Sequence, residues 1–209
     1  MQPTNDSNKI KICVSGAAEM GFLGPADYEI AKEVGREIAR QGAVIVTGAT
    51  TGFPLWAAKG AKEAGGFSVG FSPASTEREH LEVYRLPIEC MDLMIYTGFG
   101  YVGRDLLLTR ASDGIVIGPG RIGTIHEFTI AYEDGKPLSI LHGDWDTDEV
   151  IQNIMDKSHR QNDMVSFSNT PKEVVAKAIE MAKKVRSGEK HYVNDDNIGG
   201  SQRERILSK

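Results

Sequence analysis

Cysteine is scarce in this sequence. Cys13 and Cys90 are the two it has, far apart, with no CxxC pair and no neighbouring cysteine–histidine cluster. That excludes a disulfide framework and a thiolate zinc site; both are expected to be reduced, buried small hydrophobes. Long apolar runs are also missing, and none approaches the roughly 18–20 residues that a membrane helix needs. The first eight residues, MQPTNDSN, are polar, so no signal peptide is expected and the expected location is the cytoplasm. An excess of positive charge is absent too. The 24 basic and 29 acidic residues leave a net charge of −5, which argues against a nucleic-acid partner but leaves room for a local anion pocket. No histidine has a partner at metal-ligand spacing, so no metal is expected. The histidines are read as surface or loop residues.

What is present is an alternation of short apolar runs with amphipathic stretches. Strands are expected at Lys9–Gly16, Ala43–Ala49, Phe67–Pro73, Asp92–Thr97, Gly114–Ile117, Leu138–His142 and Met164–Phe167. Helices are expected at Ala26–Gln41, Phe53–Ala64, Val102–Ser112, Thr124–Asp134, Thr147–His159 and Pro171–Arg186, with a short turn at Glu77–Leu81. Parallel strands need crossover connections, so this order implies an α/β fold, a parallel sheet with helices on both faces. At 209 residues one domain is favoured over two. It is expected over residues 1–187, with a flexible polar tail at 188–209. Ligands of such sheets bind beyond the carboxyl ends of the strands, where the glycines of this sequence cluster.

Three glycine-rich turns stand there. Gly118-Pro119-Gly120-Arg121-Ile122-Gly123-Thr124 follows a buried strand and opens a helix. Its backbone N–H groups and the helix dipole suit a phosphate, and Arg121 could strengthen the hold. The competing reading is structural: Thr124-x-x-Glu127 matches a capping box, in which Glu127 only satisfies its own helix. Gly98-x-Gly100-x-x-Gly103 has the dinucleotide-fingerprint spacing, but it follows the fourth strand and lacks the downstream acid that holds a ribose. It is read as a ligand-edge loop without NAD. Thr47-Gly48-Ala49-Thr50-Thr51-Gly52 lacks the Gly-Lys-Ser/Thr ending of a P-loop. Its Gly48, Thr51 and Gly52 could line a nucleotide pocket or simply turn the chain. Arg104 opens a helix, where a cation opposes the dipole; that makes it a site candidate, with a surface ion pair to Asp105 as the alternative. No G-x-S-x-G elbow is present.

Together these turns resemble the LOG-type family of cytokinin-activating phosphoribohydrolases and bacterial relatives named lysine decarboxylases. The resemblance runs from about Lys11 to Leu141. The segment Ile12-Cys13-Val14-Ser15-Gly16 and the strand ending at Gly48 fall in the family's order. The signature P-G-G-x-G-T-x-x-E is matched by Pro119, Gly120, Gly123, Thr124 and Glu127. The upstream arginine is matched by Arg104, nine residues before Asp113. Arg121 replaces the second signature glycine, and Ala49 and Thr50 stand where glycines are usual. These departures resemble a divergent branch that includes molybdenum-cofactor carrier-like proteins.

The resemblance implies a doubly wound Rossmann-like sheet and hydrolysis of the N-glycosidic bond of an AMP-like nucleoside 5′-monophosphate. Arg104 and Glu127 would be catalytic, and Gly16, the turn glycines, Ile122 and Thr124 would surround the phosphate and nucleotide. No cofactor would be required, and a homodimer is implied, with Phe128, Ile130, Ala131 and Tyr132 open to either core or interface. The alternative is a non-catalytic carrier or sensor of a phosphorylated nucleotide or pterin. A pyridoxal-phosphate decarboxylase finds no lysine in a Schiff-base context.

Overall fold

The computed structural model describes residues 9–18, 21, 24–159 and 162–189. Strands β1 (Lys11–Ser15), β2 (Val44–Thr47), β3 (Ser68–Ser72), β4 (Leu93–Tyr96), β5 (Gly114–Ile117), β6 (Leu138–Leu141) and β7 (Val165–Ser168) form one parallel sheet. Its order is β4-β3-β2-β1-β5-β6-β7. The chain steps outward from β1 to the β4 edge, then returns to β5 on the other side of β1 and steps outward again. The expected doubly wound, Rossmann-like single domain is therefore what forms, and its direction reverses between β1 and β5. At such a switch point the flanking loops part and leave a crevice.

Burial follows the topology. The central strands β5 and β6 are buried at every residue, the continuous apolar pattern of parallel strands covered on both faces. Edge strand β4 alternates exposed with half-buried residues. Helices α1 (Pro25–Arg40), α2 (Phe53–Glu63) and α7 (Pro171–Arg186) build the core on one face, around Ile12, Val14, Ile45 and Phe53. On the other face α4 (Gly100–Ala111), α5 (Ile122–Glu133) and α6 (Thr147–Lys157) pack around Cys13, Ile115, Leu108 and Phe128. The short α3 (Glu77–Glu82) lies in the connection to β4. Helices α1 and α2 touch backbone to backbone: a Cβ at Gly35 would lie 1.8 Å from the Ala57 carbonyl oxygen, and one at Gly60 2.0 Å from that of Lys32. Phe128, Ala131 and Tyr132 belong to this core rather than to an interface, and Ile130 is half-buried outside it.

Every expected element is present, Gly114–Ile117 and Pro171–Arg186 with the expected bounds and the others with shifted ends. Helix α1 starts at Pro25, with Asp27 reaching back 2.7 Å to the Gly24 N–H. Helices α4 and α5 each start two residues before the expected positions. His80 is fully buried, bonded to Ser72 Oγ at 2.8 Å and the Pro87 carbonyl at 3.1 Å, so the surface reading of that histidine fails. Cys13 is buried and burial raises its thiol pKa well above the usual value, but Cys90 is only half-buried, at φ 69°. At the amino-terminal edge of the sheet, Asp113 accepts from the Lys11 backbone at 2.8 Å, Lys11 Nζ at 2.9 Å and Arg186 Nη2 at 2.7 Å, pinning α7 to β1 and β5. Of the expected tail, residues 190–209 lie outside the described residues.

Candidate functional site

The carboxyl ends of β1 and β5 are stitched together: Gly118 N–H donates to the Ser15 carbonyl at 3.0 Å, and Ala17 N–H to that of Pro119 at 2.7 Å. Phe53 plugs the space beneath both turns. A Cβ at Gly16 would lie 2.8 Å from its Cδ1, and one at Gly118 2.5 Å from its Cε1, so glycine is needed at both. Above them opens a cavity of about 300 Å³ between β1, β2, α4 and α5, lined among others by Gly16, Gly48, Thr50, Arg104, Gly123 and Glu127.

Two buried charged groups meet in its floor. Glu127 is 7% exposed and accepts a hydrogen bond from Ser15 Oγ. Arg104, 5% exposed, brings Nη1 to 3.5 Å from Glu127 Oε1 and to 3.5 Å from Asp105 Oδ1. Those separations exceed the 2.7–2.9 Å of a strong charge-assisted bond, and Arg104 Nε is buried with no hydrogen-bond partner among the described residues. The guanidinium is thus held in place with donor capacity unspent. Asp105 places its other oxygen 2.9 Å from His126 Nδ1. Burial raises the Glu127 pKa to about 7; Arg104 opposes this and Asp105 adds to it. A carboxyl of that kind is half-ionised at neutrality and can give or take a proton.

Helix α5 begins at Ile122, capped by Arg121 without a side-chain hydrogen bond. The N–H groups of its first turn, from Ile122 to Thr124, have no intrahelical acceptor and point along the positive end of the dipole. Thr124 therefore sits inside the first turn rather than at the cap, and Glu127 bonds Ser15 and not the helix start. The capping-box reading does not hold. Gly120 departs from expectation as well: Thr147 Oγ1 engages both its N–H (2.8 Å) and its carbonyl (2.9 Å). The first-turn N–H groups without an intrahelical acceptor are those of residues 122–124.

The structure brings Gly16, Gly48, Arg104, Arg121, Ile122, Gly123, Thr124 and Glu127 to this cavity. It does not bring Gly98, Gly100 and Gly103, which lie beyond edge strand β4. The N–H groups of Gly98 and Gly100 bond the carbonyls of Ala74 and Pro73, and these two glycines serve positive-φ turns (69° and 63°). Thr51 turns away to bond the Ala18 carbonyl at 2.6 Å, and its neighbour Thr50 faces the cavity. Gly52 and Pro119 shape the adjoining backbone. Sequence reasoning missed Ser15, and it took the buried Asp105 for a surface partner. Ser15 was findable as the last residue of the strand at the switch point. Among the described residues, no cluster of three or more His, Cys, Asp or Glu could hold a metal, and no helix is long and apolar enough to cross a membrane.

The comparisons with known proteins agree with this architecture. An uncharacterised protein of Archaeoglobus fulgidus is 31% identical over 132 residues, 63% of this chain and 82% of that one. The molybdenum cofactor binding protein of the phototrophic bacterium Rippkaea orientalis superposes with a TM-score of 0.66 at 26% identity, covering 85% of this chain and 98% of the other. The molybdenum cofactor carrier protein of Chlamydomonas reinhardtii gives 0.63 at 26%, covering 86% and 99%. DNA processing protein A of Helicobacter pylori, at 18% identity and a TM-score of 0.60 over 84% of this chain and 82% of that one, shares the fold. The expected branch near molybdenum-cofactor carrier proteins is thereby borne out. Residues 9–175 match one family along nearly the whole described chain, and by that match the protein belongs to the SLOG cluster4 family.

Proposed function

We propose that this chain binds a phosphorylated nucleotide or pterin, with the phosphate at the start of α5, and that Arg104 and Glu127 hydrolyse the N-glycosidic bond of a nucleoside 5′-monophosphate. The carrying observation is the pairing of Glu127, its pKa raised to about 7, with an Arg104 that has donors to spare, both opening on that helix start. The phosphate would accept from the N–H groups of residues 122–124. As the base departs, positive charge develops on the ribose, and ionised Glu127 offsets it or takes a proton from the attacking water. Arg104 would orient the ribose or polarise the leaving base. Water adds to the anomeric carbon, the carbon–nitrogen bond breaks and its electron pair leaves with the base. This chemistry calls on no cofactor, and the acidic charge balance disfavours a nucleic-acid partner.

A second reading is supported by the full-length likeness to proteins named as binding or carrying the molybdenum cofactor: the same site would hold a phosphorylated pterin without chemistry. Incubation with a panel of nucleoside 5′-monophosphates, reading free base by chromatography, separates the two. Catalytic release, abolished by Glu127→Gln, is the result expected. Ligand-induced stabilisation without release would favour the carrier. Self-association is expected through the apolar stripe that α4 leaves uncovered, where Phe99, Val102 and Leu106 are 68%, 71% and 37% exposed.

A further inference from the structure

The turn from Gly120 to Ile122 has a second cavity on its other side. It measures about 770 Å³ against about 300 Å³ for the first, and Arg121 and Ile122 line both. The two chambers therefore meet at the residues that open α5. The first sits at the lower bound of small-molecule sites, roughly 300–1,000 Å³, so a ligand confined to it leaves the larger space unused.

The linings of the two chambers differ in chemistry. The first has buried Arg104 and Glu127. The second has Trp145, the apolar side chains of Ile122 and Val150, and the carboxylates of Asp144 and Asp146. Neither carboxylate makes a hydrogen bond or ion pair among the described residues. Trp145 folds back over Gly143, where a Cβ would lie 2.3 Å from its Cη2, and its indole N–H is buried without a partner among the described residues. Ile122 is 84% and Val150 43% exposed. An indole and aliphatic edges suit a planar heteroaromatic ring. Free carboxylates accept from hydroxyls and repel another phosphate, so they suit a sugar diol and not an anionic group.

We propose that the second chamber receives the far half of the same ligand, a nucleoside-type head with a flat ring and free hydroxyls. It would be joined through phosphate at the start of α5 to the head beside Arg104 and Glu127. The ligand class is then a two-headed phosphate or pyrophosphate diester, a dinucleotide, of which a nucleoside monophosphate fills only one side. This rests on the reading that the start of α5 takes a phosphate.

The test compares AMP, ADP and diadenosine 5′,5′-pyrophosphate by isothermal titration calorimetry on the full chain. From ADP to the dinucleotide the base and the two phosphates stay constant and only the second head is added; AMP serves as the one-phosphate reference. The dinucleotide is expected to bind at least about tenfold tighter than ADP, the scale of a second linked contact. In a Trp56→Phe variant, which leaves Trp145 as the one tryptophan of the sequence, the dinucleotide is expected to quench the emission and AMP to leave it unchanged. Val150→Arg, at an exposed position, should bring the ratio of dinucleotide to ADP affinity near one. If ADP binds in an Arg104-dependent way but the dinucleotide gains nothing and Trp145 does not respond, the two-headed ligand is overturned and the phosphate site stands. If none of the three binds, both fall.

Discussion

Replacing Gly48 with alanine separates the site from the fold. A Cβ at Gly48 would lie 1.7 Å from Arg104 Nη1, 2.5 Å from Cζ and 2.9 Å from Nη2. Restoring an ordinary contact of 3.4 Å requires the guanidinium to retreat by about 1.7 Å. The backbone at Gly48 is not in the left-handed region, so alanine fits the chain itself, and the obstacle is the end of a flexible side chain. The melting temperature should therefore change little. The retreat takes Nη1 out of its 3.5 Å approach to Glu127, and misplacement of a functional group by about 1 Å costs roughly 10²-fold in rate. Arg104 holds the Glu127 pKa down, so the same variant should also raise it above its value of about 7. Carbon-13 NMR titration of the glutamate carboxyls reads that rise with no ligand present, and the base-release assay reads the loss of turnover. A folded Gly48→Ala protein with wild-type turnover and an unmoved Glu127 would refute the reasoning.

Glu127 sets a pH dependence of stability. Its folded pKa, about 7, lies above the usual 4.5, so the stability contributed by its proton is complete below about pH 4.5 and lost as pH rises through about 7. Each tenfold change in proton affinity between the folded and unfolded chain is worth about 1.4 kcal/mol. Glu127→Gln should therefore raise stability by on the order of 3 kcal/mol at pH 8, with the gain shrinking toward pH 5. Equal melting-temperature gains at both pH values would contradict this. Asp113 titrates in the opposite sense. Burial pushes its pKa up, but the hydrogen bonds from Lys11 and Arg186 outweigh burial and hold it below 3.8. Its contribution is present above that value and lost as pH falls further, and Asp113→Asn should cost about 1–3 kcal/mol at neutral pH in denaturant titrations. Val102→Glu, on the uncovered stripe of α4, should shift sedimentation toward the monomer while leaving melting of the monomer unchanged; an unaltered oligomer would rule out that face.

Much of this was legible in the sequence because parallel strands buried on both faces, such as Gly114–Ile117 and Leu138–Leu141, read as short continuous apolar runs between helical stretches. Arg104 was legible by its place in the resemblance, nine residues before Asp113; the expected misfit with the helix dipole does not hold, because α4 starts at Gly100 and puts Arg104 beyond its first turn. What pattern could not supply was distance across the fold. Gly98, Gly100 and Gly103 have a binding-loop spacing, yet the N–H groups of Gly98 and Gly100 are taken by the Ala74 and Pro73 carbonyls, and their neighbours Tyr101 and Arg104 reach the cavity instead. Thr124 and Glu127 have a capping-box spacing, and only the start of α5 at Ile122 with Ser15 opposite separates cap from site. Ser15 meets Glu127, and Asp105 meets His126, through contacts between residues far apart in sequence; only the position of Ser15 at a strand end was readable locally.

The central claim is that the start of α5 holds the phosphate of a nucleotide whose ribose or base Arg104 engages beside Glu127. Isothermal titration of AMP into the wild-type protein and into Arg104→Ala tests it most directly. Losing charge-assisted hydrogen bonds worth about 1.5–3 kcal/mol should weaken binding by about 10- to 100-fold. Equal affinity in the two proteins, or no binding to the wild type, would contradict the account.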